Sequence, residues 1–232
     1  MRRRRIRAIF FDAGNTLIRM DYAAIAAALA ARGAARSVEE IQRSEWAART
    51  RLDATLAPGG STESRATGER YLRFVLFGLG ISDEPTIAAM TAWRVAYNPP
   101  VGLWTLPEPR AAETLAAVRA AGLITGVISN SNGTIRAILE SLGLVRHLDF
   151  VLDSSEVGVE KPDARIFSMA LERAGVDAGA AAYVGDLYSV DVLGARSAGI
   201  RPVLLDPGGL WGARDCAVAP DVAAAVRLLR DG

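Results

Sequence analysis

Three short polar side chains stand where apolar runs stop. Asp12 follows IFF, Ser129 follows LITGVI and Asp186 follows AAYVG. A fourth residue draws notice by its type. Lys161, in the stretch GVEKPDARIF, is the single lysine among 27 basic residues, the other 26 being arginine. Two carboxylates, a hydroxyl and an ammonium could together grip a charged ligand. The ammonium is a compact point charge, whereas a guanidinium is a larger planar fork that needs a different spacing. A lysine retained in an otherwise arginine-only chain therefore suggests a tight site. Taken singly, each residue has a plainer account: Asp12 as a turn residue before Gly14-Asn15, Asp186 as a helix cap, Ser129 as a turn hydroxyl, Lys161 as a surface residue.

The elements that would carry these groups alternate. Ile6 to Phe11 reads as a buried strand ending in a tight turn at Asp12-Ala13-Gly14-Asn15. From Met20 to Asn98 strand-like runs are absent. Ala-rich, Arg- and Glu-bearing segments predict about four helices, with a capping box at Ser37 and Glu40, further caps at Ser61 and Ser82, and breaks at Pro58-Gly59-Gly60 and Gly80. After Asn98-Pro99-Pro100 the pattern changes. Helices are predicted over 108–121, 134–142, 162–174 (Pro162 in its first turn), 190–198 and 222–229, and strands over 123–128, 150–152, 182–184 and 202–205. Strands alternating with helices imply an α/β fold with a doubly wound, mostly parallel sheet. In such sheets ligands bind at the C-terminal strand edge, where Asp12, Ser129 and Asp186 would converge and Lys161 could reach them.

Composition narrows the function. With 27 basic and 26 acidic residues, the net charge of +1 gives no reason to expect nucleic acid or an acidic partner. No apolar run is long enough to span a membrane, and the run behind MRRRRIR is too short for a signal-peptide core. Cys216 has no partner for an intrachain disulfide. A soluble cytoplasmic protein is expected. Arg19, Tyr22, Asn132 and Tyr188 lie near the expected crevice, whereas His147 is expected in a loop, away from catalysis.

Four stretches in order, FFDAGNTL (10–17), VISNSNG (127–133), EKPDARIF (160–167) and YVGDLYSVDVLGARSAGI (183–200), resemble the motifs of the haloacid dehalogenase-like hydrolases. The resemblance covers about residues 5–19 and 102–210. It implies a Rossmann-like core over 1–19 and 102–232 and an alpha-helical cap over 20–101. It implies that Asp12 is a nucleophile forming an aspartyl-phosphate, that Ser129 and the Asn130 N–H hold phosphoryl oxygens, and that Lys161 touches both nucleophile and phosphoryl group. It also implies a Mg²⁺ site of Asp12, the Gly14 carbonyl, Asp186 and Asp191. Three aspartates then balance one divalent cation and Lys161, so a phosphate dianion can enter a near-neutral site. The substrate would be a small phosphorylated metabolite.

One position departs from the family pattern. Phosphatases of this family usually carry a second Asp two residues after the nucleophile, to protonate the leaving group and activate water. Here that position is Gly14. A positioned acid–base group is typically worth about 10²–10⁴ in rate. Two other readings follow: a slow or inactive phosphate-binding module, and a metal-independent 2-haloacid dehalogenase. The paired Asp186 and Asp191 argue against the dehalogenase.

Overall fold

A computed structural model describes residues 5–56, 60–99 and 102–231. Met1–Arg4 of the basic opening, Pro58 and Gly59 of the expected break, and Pro100 lie outside the described residues.

The first strand, β1 (Ala8–Phe11), is buried along its whole length. It pairs in parallel with β4 (Ile124–Ser129) on one side and β6 (Ala181–Gly185) on the other. With β5 (Phe150–Asp153), β7 (Arg201–Leu205) and β8 (Ala217–Ala219) they form a six-stranded sheet in the order β5-β4-β1-β6-β7-β8, every pairing parallel. Strands buried on both faces read as continuous apolar runs, which is why AIFF and AAYVG were legible. Ile9, Phe11, Val127 and Val184 face one core, closed by α5 (Ala111–Ala120) and α10 (Val222–Asp231). Ala8, Phe10, Ile128 and Tyr183 face the other, under α8 (Ala164–Ala174) and α9 (Leu193–Ser197). The sheet is thus the doubly wound parallel sheet expected. α6 (Ile135–Ser141) and the four-residue α7 (Ser154–Val157) complete the connections on the β4–β5 side.

Between β1 and β4 the chain leaves the sheet. β2 (Ile18–Met20) and β3 (Trp104–Pro107) form an antiparallel pair that brackets four helices: α1 (Tyr22–Ala30), α2 (Val38–Asp53), α3 (Arg65–Gly78) and α4 (Glu84–Tyr97). These helices bury their own core around Ile25, Leu29, Ile41, Leu76 and Met90. Ile18 belongs to the sheet's core and Met20, two residues on, to the helices' core. The β2–β3 ribbon is therefore the joint between the two.

The capping box on α2 forms as expected, Ser37 and Glu40 each accepting the other's backbone N–H. The other two expected caps do not. Ser64 caps α3 and Asp83 caps α4, each accepting an N–H three residues on. A cap at Asp83 leaves Pro85 in the first turn, where its missing N–H costs nothing. Ser61 spends its hydroxyl on Glu160 instead. Pro162 also lies outside the first turn of α8. It follows a cis peptide bond after Lys161, and Asp163 caps the helix.

Candidate active site

The parallel register sets Phe11 level with Val127 and Val184, so the residues just beyond them emerge at one edge. Asp12, Ser129 and Asp186 all stand there, each buried. Asp191 joins them from a single π turn, Tyr188–Val192, that follows β6.

Lys161 reaches the same place from the loop before α8, and Asn130 sets it there. The Asn130 side chain accepts from the Lys161 N–H at 2.7 Å and donates to the Lys161 carbonyl at 3.0 Å. The Lys161 side chain is only 3% exposed. Its Nζ donates to Asp12 Oδ1 at 2.6 Å, Asp191 Oδ1 at 2.8 Å and the Tyr183 hydroxyl at 2.8 Å. An ammonium has three protons, and here each has an acceptor. That is why the position takes lysine: three acceptors surround one point, and a planar fork cannot serve them. The expected contact with a phosphoryl group would require one of these bonds to be exchanged.

Burial and charge set the site's electrostatics. Burial, reinforced by Asp191, pushes the Asp12 carboxyl up to about 6, against the pull of Lys161. Burial raises Asp186 well above the carboxylate range as well; Arg49 opposes that, and Asp12 and Asp191 add to it. Burial by itself would lower Lys161, but Asp12 and Asp191 outweigh it and raise the amine. The pocket therefore carries more acid than its one ammonium neutralises.

Among the described residues, Asp12, Asp186 and Asp191 form the one cluster of three acidic, imidazole or thiol ligands, with candidate oxygens within 4.8 Å of one another. They are not equivalent. Asp191 Oδ1 receives Lys161 and Tyr183, while Oδ2 receives the N–H groups of Asp186 and Leu187 at 3.0 and 2.9 Å. Its lone pairs are used, so it orients its neighbours. Asp12 and Asp186 each keep an oxygen that no described side chain donates to. All-oxygen donors of this kind suit a hard divalent cation.

Gly14 lies under the Trp104 indole. A Cβ there would be in ordinary contact with the ring, 3.4 Å from Trp104 Cδ1 and Nε1. Trp104 Nε1 donates to Asn15 Oδ1, and Asn15 Nδ2 donates to Asp186 Oδ2 at 3.2 Å. Asn15 holds a left-handed φ of 54°, a conformation asparagine tolerates better than most residues. Ser129 turns its hydroxyl to the Asn130 carbonyl at 3.2 Å.

Several residues here gave no sequence signal. Arg49, on α2, is buried against Glu45 by two bonds of 2.6 Å, and its Nη1 lies 3.7 Å from Asp186 Oδ2. Glu45 also accepts from the Tyr22 and Tyr71 hydroxyls. The i, i+4 spacing of Glu45 and Arg49 reads as an ordinary surface ion pair, and only the packing of α2 on α3 buries it. Tyr183 is hidden inside an apolar strand. Tyr22, expected near the crevice, points into this Glu45 network instead, and Arg19 lies on β2 and does not line the cavity. Tyr188 donates to Asp215 outside the pocket. Asn132 does line it, its side chain accepting from Thr134. His147 sits in a short 3₁₀ turn whose carbonyl binds Thr125, away from the cavity.

A cavity of about 470 Å³ opens from the three carboxylates toward the helices, lined on the far side by Thr62, Glu63, Tyr71 and Arg94. A family profile described as haloacid dehalogenase-like hydrolase matches residues 6–199. Over 93 residues, 40% of its length, the chain is 46% identical to haloacid dehalogenase-like hydrolase domain-containing protein 3 of Danio rerio, and the match spans 38% of that relative. It is 45% identical over 101 residues to a phosphoserine phosphatase of Thermus thermophilus, 43% of this chain and 42% of that one. The 2-haloacid dehalogenase of Pseudomonas syringae superposes with a TM-score of 0.58 at 28% identity, covering 97% of this chain and 98% of the other. With a matching profile over most of its length and this arrangement at the strand ends, the chain belongs to the haloacid dehalogenase-like hydrolase family.

Proposed function

We propose that this protein is a Mg²⁺-dependent phosphatase that hydrolyses a small phosphorylated metabolite through an aspartyl-phosphate on Asp12. The observation that carries the reading is the pairing of Lys161 with Asp12 beside a second open carboxylate, Asp186. Lys161 binds Asp12 Oδ1, which leaves Oδ2 to attack phosphorus in line with the departing oxygen. The attack meets like-charge repulsion, and Lys161 offsets part of it. Asp12, Asp186 and the Gly14 carbonyl would hold Mg²⁺, with Asp191 fixing both Lys161 and the backbone at Asp186. The ion would supply charge neutralisation at the phosphoryl oxygens. The Ser129 hydroxyl and the Asn130 N–H would bind those oxygens once the Ser129 hydroxyl turns from the Asn130 carbonyl.

The helices over the cavity act as a cap that selects a small substrate. The near-neutral charge supports neither a nucleic-acid nor a membrane-surface substrate. No described helix is long and apolar enough to cross a membrane; a cytoplasmic location is our reading from the single cysteine. Likeness to a dehalogenase leaves a second chemistry to test, but the open Asp186 carboxylate beside Asp12 speaks for a metal-assisted phosphoryl transfer.

The test is release of nitrophenol from 4-nitrophenyl phosphate by the protein with Mg²⁺, with EDTA, and by Asp12→Asn with Mg²⁺. Turnover is expected only in the first, with losses of about 10²-fold or more in the others. Equal rates in all three reject the reading. Halide release from a 2-haloacid in EDTA would put a dehalogenase in its place.

A further inference from the structure

The reaction above needs a proton for the leaving oxygen, and position 14 has no side chain to give one. In-line attack by Asp12 sends that oxygen away from the sheet, toward the helices. A replacement acid must therefore come from the far wall of the cavity. Five of the ionisable groups that line it are already engaged. Lys161 binds both Asp12 and Asp191, Glu69 is paired with Arg65 at 2.7 Å, and Tyr71 donates its hydroxyl to Glu45. Asp186 lies on the sheet side with Arg49 and Asn15. Arginines do not give up a proton at neutral pH. That leaves Glu63, whose carboxyl accepts no hydrogen bond from any described residue.

The segment that carries Glu63 is anchored to the two motifs that position Lys161. Ser61 Oγ donates to Glu160 Oε1 at 2.9 Å, and Thr62 Oγ1 accepts from Asn130 Nδ2 at 2.9 Å. The Glu63 N–H in turn donates to Ser61 Oγ at 3.0 Å. Two latches thus hold this stretch against the phosphate-binding side, and the next residue, Glu63, lines the cavity.

We propose that Glu63 is the catalytic acid and base that replaces the missing side chain at position 14. The proposal rests on the phosphatase reading. In the first step Asp12 Oδ2 bonds to phosphorus and the phosphorus–oxygen bond to the leaving group breaks. The bonding pair stays on the leaving oxygen, which takes the proton from the Glu63 carboxyl and departs as an alcohol. In the second step the Glu63 carboxylate takes a proton from water as the water oxygen bonds to phosphorus. The Asp12–phosphorus bond breaks, its electrons return to the carboxylate, and phosphate leaves with Glu63 again protonated.

The surroundings suit both roles. Glu63 is exposed at the mouth, yet the protein around its carboxyl, then Glu160 and Asp12, push it up to about 7. Asp153 adds to the rise and Lys161 opposes it. Arg94, across the cavity on α4, also faces it, and Arg65 and Glu69 line the same cavity. A carboxyl near neutrality can give a proton in one step and take one in the next.

The experiment compares the full chain and Glu63→Gln, both with Mg²⁺, on 4-nitrophenyl phosphate and on a simple alkyl phosphate. The expected loss in kcat/KM is about 10²-fold or more for the alkyl ester, whose leaving group needs the proton, and less than about threefold for the nitrophenyl ester. On the nitrophenyl ester Glu63→Gln is also expected to release a burst of about one nitrophenol per protein, because its second step lacks the base. For the alkyl ester, wild-type kcat/KM should fall as pH rises through about 7, where Glu63 loses its proton, and the variant should lack that limb. Equal losses on both esters, or none on either, overturn the proposal while leaving the phosphatase reading intact. A wild type that turns over neither ester overturns the phosphatase reading, and the proposal with it.

Discussion

Lys161 is buried and held by three acceptors, and its replacement tells charge from shape. Lys161→Met leaves Asp12 and Asp191 buried together without a counter-ion, and breaking a buried pair this way costs about 3–5 kcal/mol. Lys161→Arg keeps the charge, but the planar head cannot meet Asp12, Asp191 and Tyr183 at once. Both variants are expected to lose phosphatase activity by about 10²-fold or more, and Arg is expected to recover part of the stability lost by Met. Urea unfolding of the three proteins in EDTA, beside nitrophenyl phosphate assays in Mg²⁺, checks both outcomes. An active Lys161→Arg would mean that charge alone suffices at this position.

The strands and helices matter through where they end. β6 stops at Gly185 because the π turn that follows folds Asp191 back against it, and a Cβ on Gly185 would collide with the Asp191 carboxyl. Gly185→Ala is therefore expected to displace Asp191 from the Asp186 and Leu187 N–H groups and from Lys161. Overpacking of this kind typically costs about 1–3 kcal/mol. The larger effect should fall on activity, about 10-fold or more, because Asp191 orients both the amine and the backbone at Asp186. Thermal melts and kcat measurements separate the two. A variant with full activity would show that Asp191 has no positioning role.

At the level of the assembled chain, the four helices and the sheet meet through a buried polar junction. Arg49 and Glu45 are almost fully buried, and the pair joins the Tyr22 and Tyr71 hydroxyls on the insert to Asp186 on the sheet. Arg49→Met strands the Glu45 carboxylate and is expected to destabilise the protein by about 3–5 kcal/mol. Adding Glu45→Gln removes the stranded charge, and the double variant is expected to be more stable than Arg49→Met alone. Denaturant unfolding of the two single variants and the double variant measures that coupling. Additive costs would mean that the pair adds nothing to the joint.

Much of this was legible from short-range pattern. AIFF and AAYVG are apolar because both sheet faces are covered, and polar residues can begin only where a strand leaves the core, which puts Asp12, Ser129 and Asp186 at one edge. The α2 capping box is equally local. Tertiary structure alone decided the rest, since those pairings join residues far apart in sequence. β2 and β3 are three- and four-residue strands on either side of the helices, too short to announce themselves by alternation, and β8 is shorter than the strands the pattern revealed. Trp104 over Gly14, Arg49 beside Asp186 and Glu63 latched near Asn130 obey no local period. Lys161 marked itself by type, but its three partners, Asp12 among them at a separation of 149 positions, meet only when the sheet has formed. A side chain's identity is carried in the sequence, whereas its solvent, its counter-charge and hence its acidity are properties of the packed fold.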